Sequence, residues 1–327
     1  MSNLELIPEE LTCCDGSTGD PSRGRVLGFR SVPLGGPRAM TVRRTLPQRE
    51  QSLIGAWCFV DHFGPDDVSA TGGMIIPGHP HTGLQTVSWL FRGTVDHLDS
   101  VGTSAVVRPG EVNLMTAGSG IAHSEYSTPT TAVLHGVQLW LALPDKDRFT
   151  EPRFEHYAPP VLDCDGATVL VFLGTLFGDV SPVLTYSPVL GAEITLQAGQ
   201  TLRMDVDTTF EHGVLIDTGA VTVARTSASS GQLVHVPAGV GQLTVTASAD
   251  EEARVLLLGG EPLGEEIVMW WNFIGRTHEE IVAYRKLWQL ERAGEGGNMA
   301  RFGQLPVGWE STLAAPAIPN ARLKPRK

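Results

Sequence analysis

Two short segments hold the residue types that could do chemistry: Gly78-His79-Pro80-His81, and Gly118-Ser119-Gly120-Ile121-Ala122-His123-Ser124-Glu125. Each places two possible ligands at i and i+2. On an extended chain that spacing puts both side chains on one face, so two neighbouring strands would aim four donors at one point. Three neutral imidazoles and one carboxylate form a mixed nitrogen and oxygen set. It suits Fe(II), Mn(II), Ni(II), Co(II) or Zn(II) better than soft Cu(I) or hard Ca(II). A six-coordinate ion held this way keeps two positions for water, dioxygen or a chelating substrate, whereas a closed tetrahedral zinc site would be structural. Taken singly, neither segment decides the matter. An isolated H-x-H need not bind a metal, and His123-Ser124-Glu125 also fits a hydrogen-bonded histidine–carboxylate pair. Together, with hairpin-forming sequence between them, they point to one metal centre.

The other histidines fit less specific roles. His62, in Asp61-His62-Phe63, and His97, in Asp96-His97-Leu98-Asp99, fit groups that orient ligands, but fit hydrogen-bonded structural histidines better. His135 precedes a strand and is placed to approach the same cavity. His212 and His235 lie in the second half, which has no H-x-H, so that half is expected to hold no metal and Glu211-His212 reads as a surface pair.

The elements that must position these residues are strands. Glycine and proline recur throughout and separate short runs of alternating apolar character, as in a sandwich or barrel. Val87, Trp89 and Phe91 share one face of a strand, and Leu84, Thr86 and Ser88 share the other. Val137, Leu139, Leu141 and Leu143 alternate with Gln138 and Trp140, and Arg108-Pro109-Gly110-Glu111 reads as a tight turn between these strands. The pattern resumes beyond the break at Pro144-Asp145-Lys146-Asp147. Two β units are therefore expected, over residues 1–145 and 146–327. One helix is predicted near the end: Thr277 and Glu280 make a capping box, Ile281, Tyr284, Leu287 and Trp288 follow at helical spacing, and Gly294 stops it.

Composition bounds the partners. With 42% hydrophobic and 18% charged residues the chain is globular, and its net charge of −12 disfavours direct contact with phosphate backbones. The basic cluster Arg322, Lys324, Arg326 and Lys327 reads as a solvated terminus. No signal sequence or bilayer-length apolar run is visible, and Cys13, Cys14, Cys58 and Cys164 form no disulfide framework or metal spacing. A cytoplasmic protein with reduced thiols is expected.

DHFGP (61–65), HPHTGLQTVSWLFRGTVDHLDSVG (79–102), PGEVNLMTAGSGIAHSE (109–125) and HGVQLWLALP (135–144) resemble the pirin family of bicupins, and GGEPLGEEIVMWWNFIGRTHEEI (259–281) is similar to its closing segment. The resemblance implies an all-β fold: two jelly-roll cupin domains in tandem with a C-terminal helix, a metal in the first only, and a degenerate second domain. It implies His79, His81, His123 and Glu125 as ligands of one divalent transition metal, Fe(II) foremost, with Mn, Ni, Co or Zn as alternatives. Two functions follow from it. One is quercetin 2,3-dioxygenase activity on a small aromatic substrate with dioxygen, Glu125 acting as general base and Trp89 and Trp140 fitting either cavity walls or core. The other is metal-dependent regulation through a protein partner, without turnover. The chain departs from the family at Thr82 and Gln85, where arginine and glutamate are usual, and at Ser119, where a basic residue is common. A neutral Thr82–Gln85 pair is expected in place of an ion pair.

Overall fold

The computed structural model describes residues 23–34, 40–295, 300–304, 306, 309 and 311–326; Cys13, Cys14 and Lys327 lie outside them. The first unit is a seven-stranded sheet facing a four-stranded one. The large sheet runs in the order Arg153–Tyr157, Val112–Thr116, Leu84–Arg92, Val133–Ala142, Trp57–Asp67, Thr41–Leu46, Arg30–Pro33. The small one runs Ile75–His81, Ile121–Ser127, Val95–Asp99, Ser104–Val107, and all its pairings are antiparallel. The second unit repeats the plan. Seven strands run from Arg25–Leu27 through Leu233–Val236, Glu211–Thr218, Ala253–Gly260, Val189–Leu196 and Ala167–Leu173 to Leu162–Cys164. Four more are Thr201–Asp205, Gln242–Ala247, Ala220–Val223 and Thr226–Ser229. This is a tandem of two cupin jelly rolls, the expected fold class.

The outermost strands cross between the units. Arg25–Leu27, early in the chain, pairs with Leu233–Val236 of the second unit, and Arg153–Tyr157 returns to pair with Val112–Thr116 of the first.

The two large sheets are buried on both faces, because they pack on each other as well as on their own barrels. Val87, Trp89, Val137, Leu139 and Leu141 meet Phe172, Leu215, Leu256 and Leu258 of the second unit in one cluster. The opposite face of the same strands, carrying Leu84 and Trp140, turns into the first barrel with Phe59, Met115 and Ile121. The semi-polar side of the alternation thus faces the barrel interior, not the solvent.

The predicted helix forms over His278–Arg292, with Thr277 as N-cap accepting from the Glu280 amide at 3.2 Å. The Glu280 carboxylate reaches back one residue further than a capping box requires, to the Arg276 amide at 2.6 Å. Beyond Arg292, Gly294 takes φ +79° and the Glu295 amide bonds the Leu290 carbonyl, which closes the helix. Its buried stripe of Ile281, Tyr284 and Trp288 packs with Phe273, Phe302 and Ala122 on the outside of the small sheet. The tail is docked as well: Arg322 pairs with Glu279, and Arg326 exchanges backbone hydrogen bonds with Ile267.

Candidate metal centre

Neighbouring strands of the small sheet each carry an i, i+2 pair of polar residues. His123 stands directly across from His79 on one side and from Asp99 on the other, while Glu125 is opposite His97. Period-two alternation sends His79, His81 and His123 into the barrel. Their ring centroids are 4.3–5.1 Å apart, and one ring nitrogen of each lies within 4.8 Å of the others. All three are at most 1% exposed. Burial lowers His79 to about 3 and holds His81 and His123 well below the ordinary imidazole value, so all three rings are neutral.

The sequence placed Glu125 with these three. It is buried, but its carboxylate stands outside the group of mutually close ligand atoms. Between His123 and Glu125 the strand partner shifts from His79 to Ile76, so a bulge interrupts the pairing here.

A cation suits this geometry. His79 Nδ1 donates to the Pro77 carbonyl at 2.9 Å, which turns its Nε2 lone pair inward, where that atom has no protein partner. His81 Nε2 and His123 Nε2 are 3.1 Å apart. Two nitrogens bound at right angles to one ion, at about 2.1 Å each, would lie about 3 Å apart. Trp140 meets the His81 ring edge-on at 5.2 Å and stacks on Phe59 at 4.0 Å, so it walls the centre. Trp89 does not. It faces the second unit, stacks on Phe172 at 4.6 Å and donates its indole N–H to Glu193.

Thr82 and Gln85 do not form the neutral pair expected of them. The buried Thr82 hydroxyl has no partner, while the Gln85 amide donates to Thr116 Oγ1 at 2.9 Å and to the Leu184 carbonyl at 3.1 Å. Arg301, far along the chain, supplies a cation beside Ser119 by donating to its carbonyl.

A second cluster brings together His62, His135 and Asp217, whose ligand atoms also lie within 4.8 Å of one another. It sits on the seam between the units, so neither His62 nor His135 serves the first centre. Asp217 Oδ1 accepts from both Nε2 atoms, at 2.7 and 2.6 Å, and Oδ2 accepts from Arg254 at 2.6 and 2.7 Å. Arg43 donates to His62 Nδ1. Two guanidinium groups flank this cluster and hydrogen bonds occupy the Asp217 carboxylate, so it is an ionic knot poorly suited to a further cation. Burial alone would raise the Asp217 carboxyl, but the His135 and His62 hydrogen bonds hold it well below the usual range. His212 is not on the surface: it is fully buried with both ring nitrogens unpartnered, and desolvation lowers it to about 4.

The fold and this centre define a bicupin whose first barrel carries a histidine triad. Its sequence matches the Pirin family model over residues 39–141 and the Pirin C-terminal cupin domain over 191–294. A Pseudomonas aeruginosa protein, provisionally named quercetin 2,3-dioxygenase, is 42% identical over 291 residues, 89% of each chain. A solved quercetin 2,3-dioxygenase from Acinetobacter baumannii superposes with a TM-score of 0.86 at 35% identity, covering 93% of this chain and 98% of that one. A nickel(II) complex of a bacterial pirin from Escherichia coli shares the fold at TM-score 0.57 and 19% identity, over 73% of this chain and 99% of its own. The chain belongs to the pirin family. Among the described residues no helix is long and apolar enough to cross a membrane.

Proposed function

We propose that the chain is a metal-dependent dioxygenase of the pirin type, acting on quercetin-like flavonols or related aromatic enediol compounds. The observation that carries this reading is the convergence of three buried, neutral imidazoles, with His79 Nε2 unpartnered and His81 Nε2 3.1 Å from His123 Nε2. Similarity over most of the chain to the Pseudomonas and Acinetobacter proteins supports it. His79, His81 and His123 would hold one divalent ion, Fe(II) foremost, with Glu125 as the fourth ligand. When bound, the ion supplies Lewis acidity and one-electron exchange with dioxygen. The protein contributes the rest. Glu125 takes the proton of the substrate hydroxyl on its carboxylate, and Trp140 backed by Phe59 keeps water from the reacting face.

The test is elemental analysis of the purified protein beside a His79→Ala, His81→Ala variant, with oxygen uptake on quercetin recorded from the same samples. One transition-metal ion per chain, lost in the variant, together with metal-dependent uptake, is the expected result. Metal without uptake on any flavonol would sink the dioxygenase reading and favour a regulatory role through a protein partner.

A further inference from the structure

His123 points its two ring nitrogens in different directions. Nε2 faces His81, whereas Nδ1 lies 3.4 Å from Nδ1 of His97, on the adjacent strand. His97 Nε2 in turn lies 3.1 Å from Asp99 Oδ2. The other Asp99 oxygen accepts the backbone amides of Val101 and Thr103, at 3.0 and 2.9 Å. Asp99 is fully buried, and His97 is 5% exposed with its ring against Phe154 at 4.7 Å.

Proton placement follows from the fixed end of this chain. The Asp99 carboxylate is an acceptor only, so His97 must carry its proton on Nε2. In a neutral His97 the Nδ1 is then a lone pair, and the hydrogen that fills the gap to His123 is the one on His123 Nδ1. That leaves the His123 Nε2 lone pair bare and aimed at the centre of the triad. We infer that Asp99 and His97 are positioning residues: a hydrogen-bond relay that sets the tautomer of His123 and so makes it competent to bind a metal. The consequence for metal affinity rests on the function proposed above; the tautomer assignment does not. A histidine ligand commonly donates its second N–H to a carboxylate or carbonyl, which fixes the ring and raises its basicity. Here a neutral imidazole carries that influence one residue further.

Asp99→Asn separates this role from mere packing. The new side-chain carbonyl would stay on the Val101 and Thr103 amides, so the NH2 group would face His97. His97 would then have to accept on Nε2 and donate from Nδ1, and the reversal would pass down the chain to place a proton on His123 Nε2. His97→Phe removes the acceptor, keeps the ring against Phe154 and imposes no reversed donor. The relay therefore ranks the isosteric Asp99→Asn as the more damaging change, whereas a packing role ranks His97→Phe worse.

The measurement is ¹⁵N NMR of histidine-labelled, metal-free protein, followed by Ni(II) titration of the same samples, with thermal unfolding to confirm that each variant folds. In the wild type His123 should show a protonated Nδ1 and a bare Nε2. In Asp99→Asn the two should exchange, and Ni(II) affinity should fall about 10- to 100-fold. A wild-type His123 protonated on Nε2 would overturn the relay without any variant, as would an unchanged His123 tautomer in folded Asp99→Asn. Correct tautomers in a wild type that takes up no metal would uphold the relay and defeat the metal-dependent function instead.

Discussion

Gln85 is held by what it can donate. Its amide nitrogen gives one hydrogen to Thr116 Oγ1 and another to the Leu184 carbonyl, inside a barrel wall where Gln85 is 1% exposed. Glutamate has the same shape, but its ionised carboxylate has no hydrogen to offer Leu184. Gln85→Glu should therefore cost about 1–3 kcal/mol at neutral pH, read from the urea midpoint. Part of the loss should return as pH falls, because protonation restores a donor and a folded-state pKa raised by burial means that the folded form binds the proton more tightly. Adding Thr82→Arg tests whether this barrel still accepts the charges usual in the family; simple addition of the two single effects would show that it does not. At this scale the triad was legible, because i, i+2 spacing on strands leaves little freedom in where side chains point. His62 and His97 were not separable by their immediate context, since each follows an aspartate. The usable signal was Asp99, two residues beyond His97 and therefore on its face of the strand. The bulge beside Glu125 was not legible, because a bulge leaves no mark in the residue types around it.

The helix and the segment behind it act on the centre from outside. Gly78 and Ala122 lie on the reverse of the ligand strands. Leu313 bonds the Gly78 carbonyl at 2.8 Å, and a Cβ on Gly78 would collide with the Trp309 indole. Trp288, fully buried, ties the helix to this layer by donating to the Leu313 carbonyl at 2.8 Å. Two substitutions should separate helix stability from bracing. Thr277→Ala removes only the cap and should cost about 1 kcal/mol. Trp288→Ala should cost about 3–5 kcal/mol and open a cavity behind the ligand sheet. Hydrogen exchange is the check: amides of Ile75–His81 and Ile121–Ser127 should lose protection in Trp288→Ala and keep it in Thr277→Ala. Equal exchange in both would mean that the helix does not brace the centre. The helix itself could be read from Thr277, Glu280 and the stripe that follows. What it covers could not, nor could the crossing of Arg25–Leu27 and Arg153–Tyr157 between sheets, because strand partners distant in sequence leave no local periodicity.

The two barrels are joined by a hydrophobic seam with one ionic knot in it, and the knot should make their union sensitive to acid. The groups facing His62 are Arg43 from the Thr41–Leu46 strand, His135 from Val133–Ala142, and Asp217 from the second unit, with Arg254 on the far oxygen of that carboxylate. Desolvation foremost, with Arg43 adding to it, lowers the His62 pKa against the pull of Asp217, so the folded protein keeps this ring neutral where an unfolded chain would protonate it. The unfolded state then binds more protons below about pH 6.5, and stability must fall as pH drops through that value. Asp217, depressed in the folded state, adds a second loss below about pH 4. His62→Gln keeps an N–H for Asp217 and removes the titration. Between pH 7.5 and 5.5 its unfolding free energy should therefore decline less steeply than that of the wild type, by up to about 1.4 kcal/mol per pH unit. An unchanged slope would remove His62 from the account. Asp217→Ala should act at every pH, because it strands Arg254 and two imidazole N–H groups at the seam, at a cost of about 3–5 kcal/mol. If the knot clamps the barrels and is more than a local contact, small-angle scattering should show this variant expanding in urea below the concentration that unfolds either barrel. The wild type should instead lose both barrels in one step, since Val87, Leu139 and Leu256 belong to a core that neither unit completes alone.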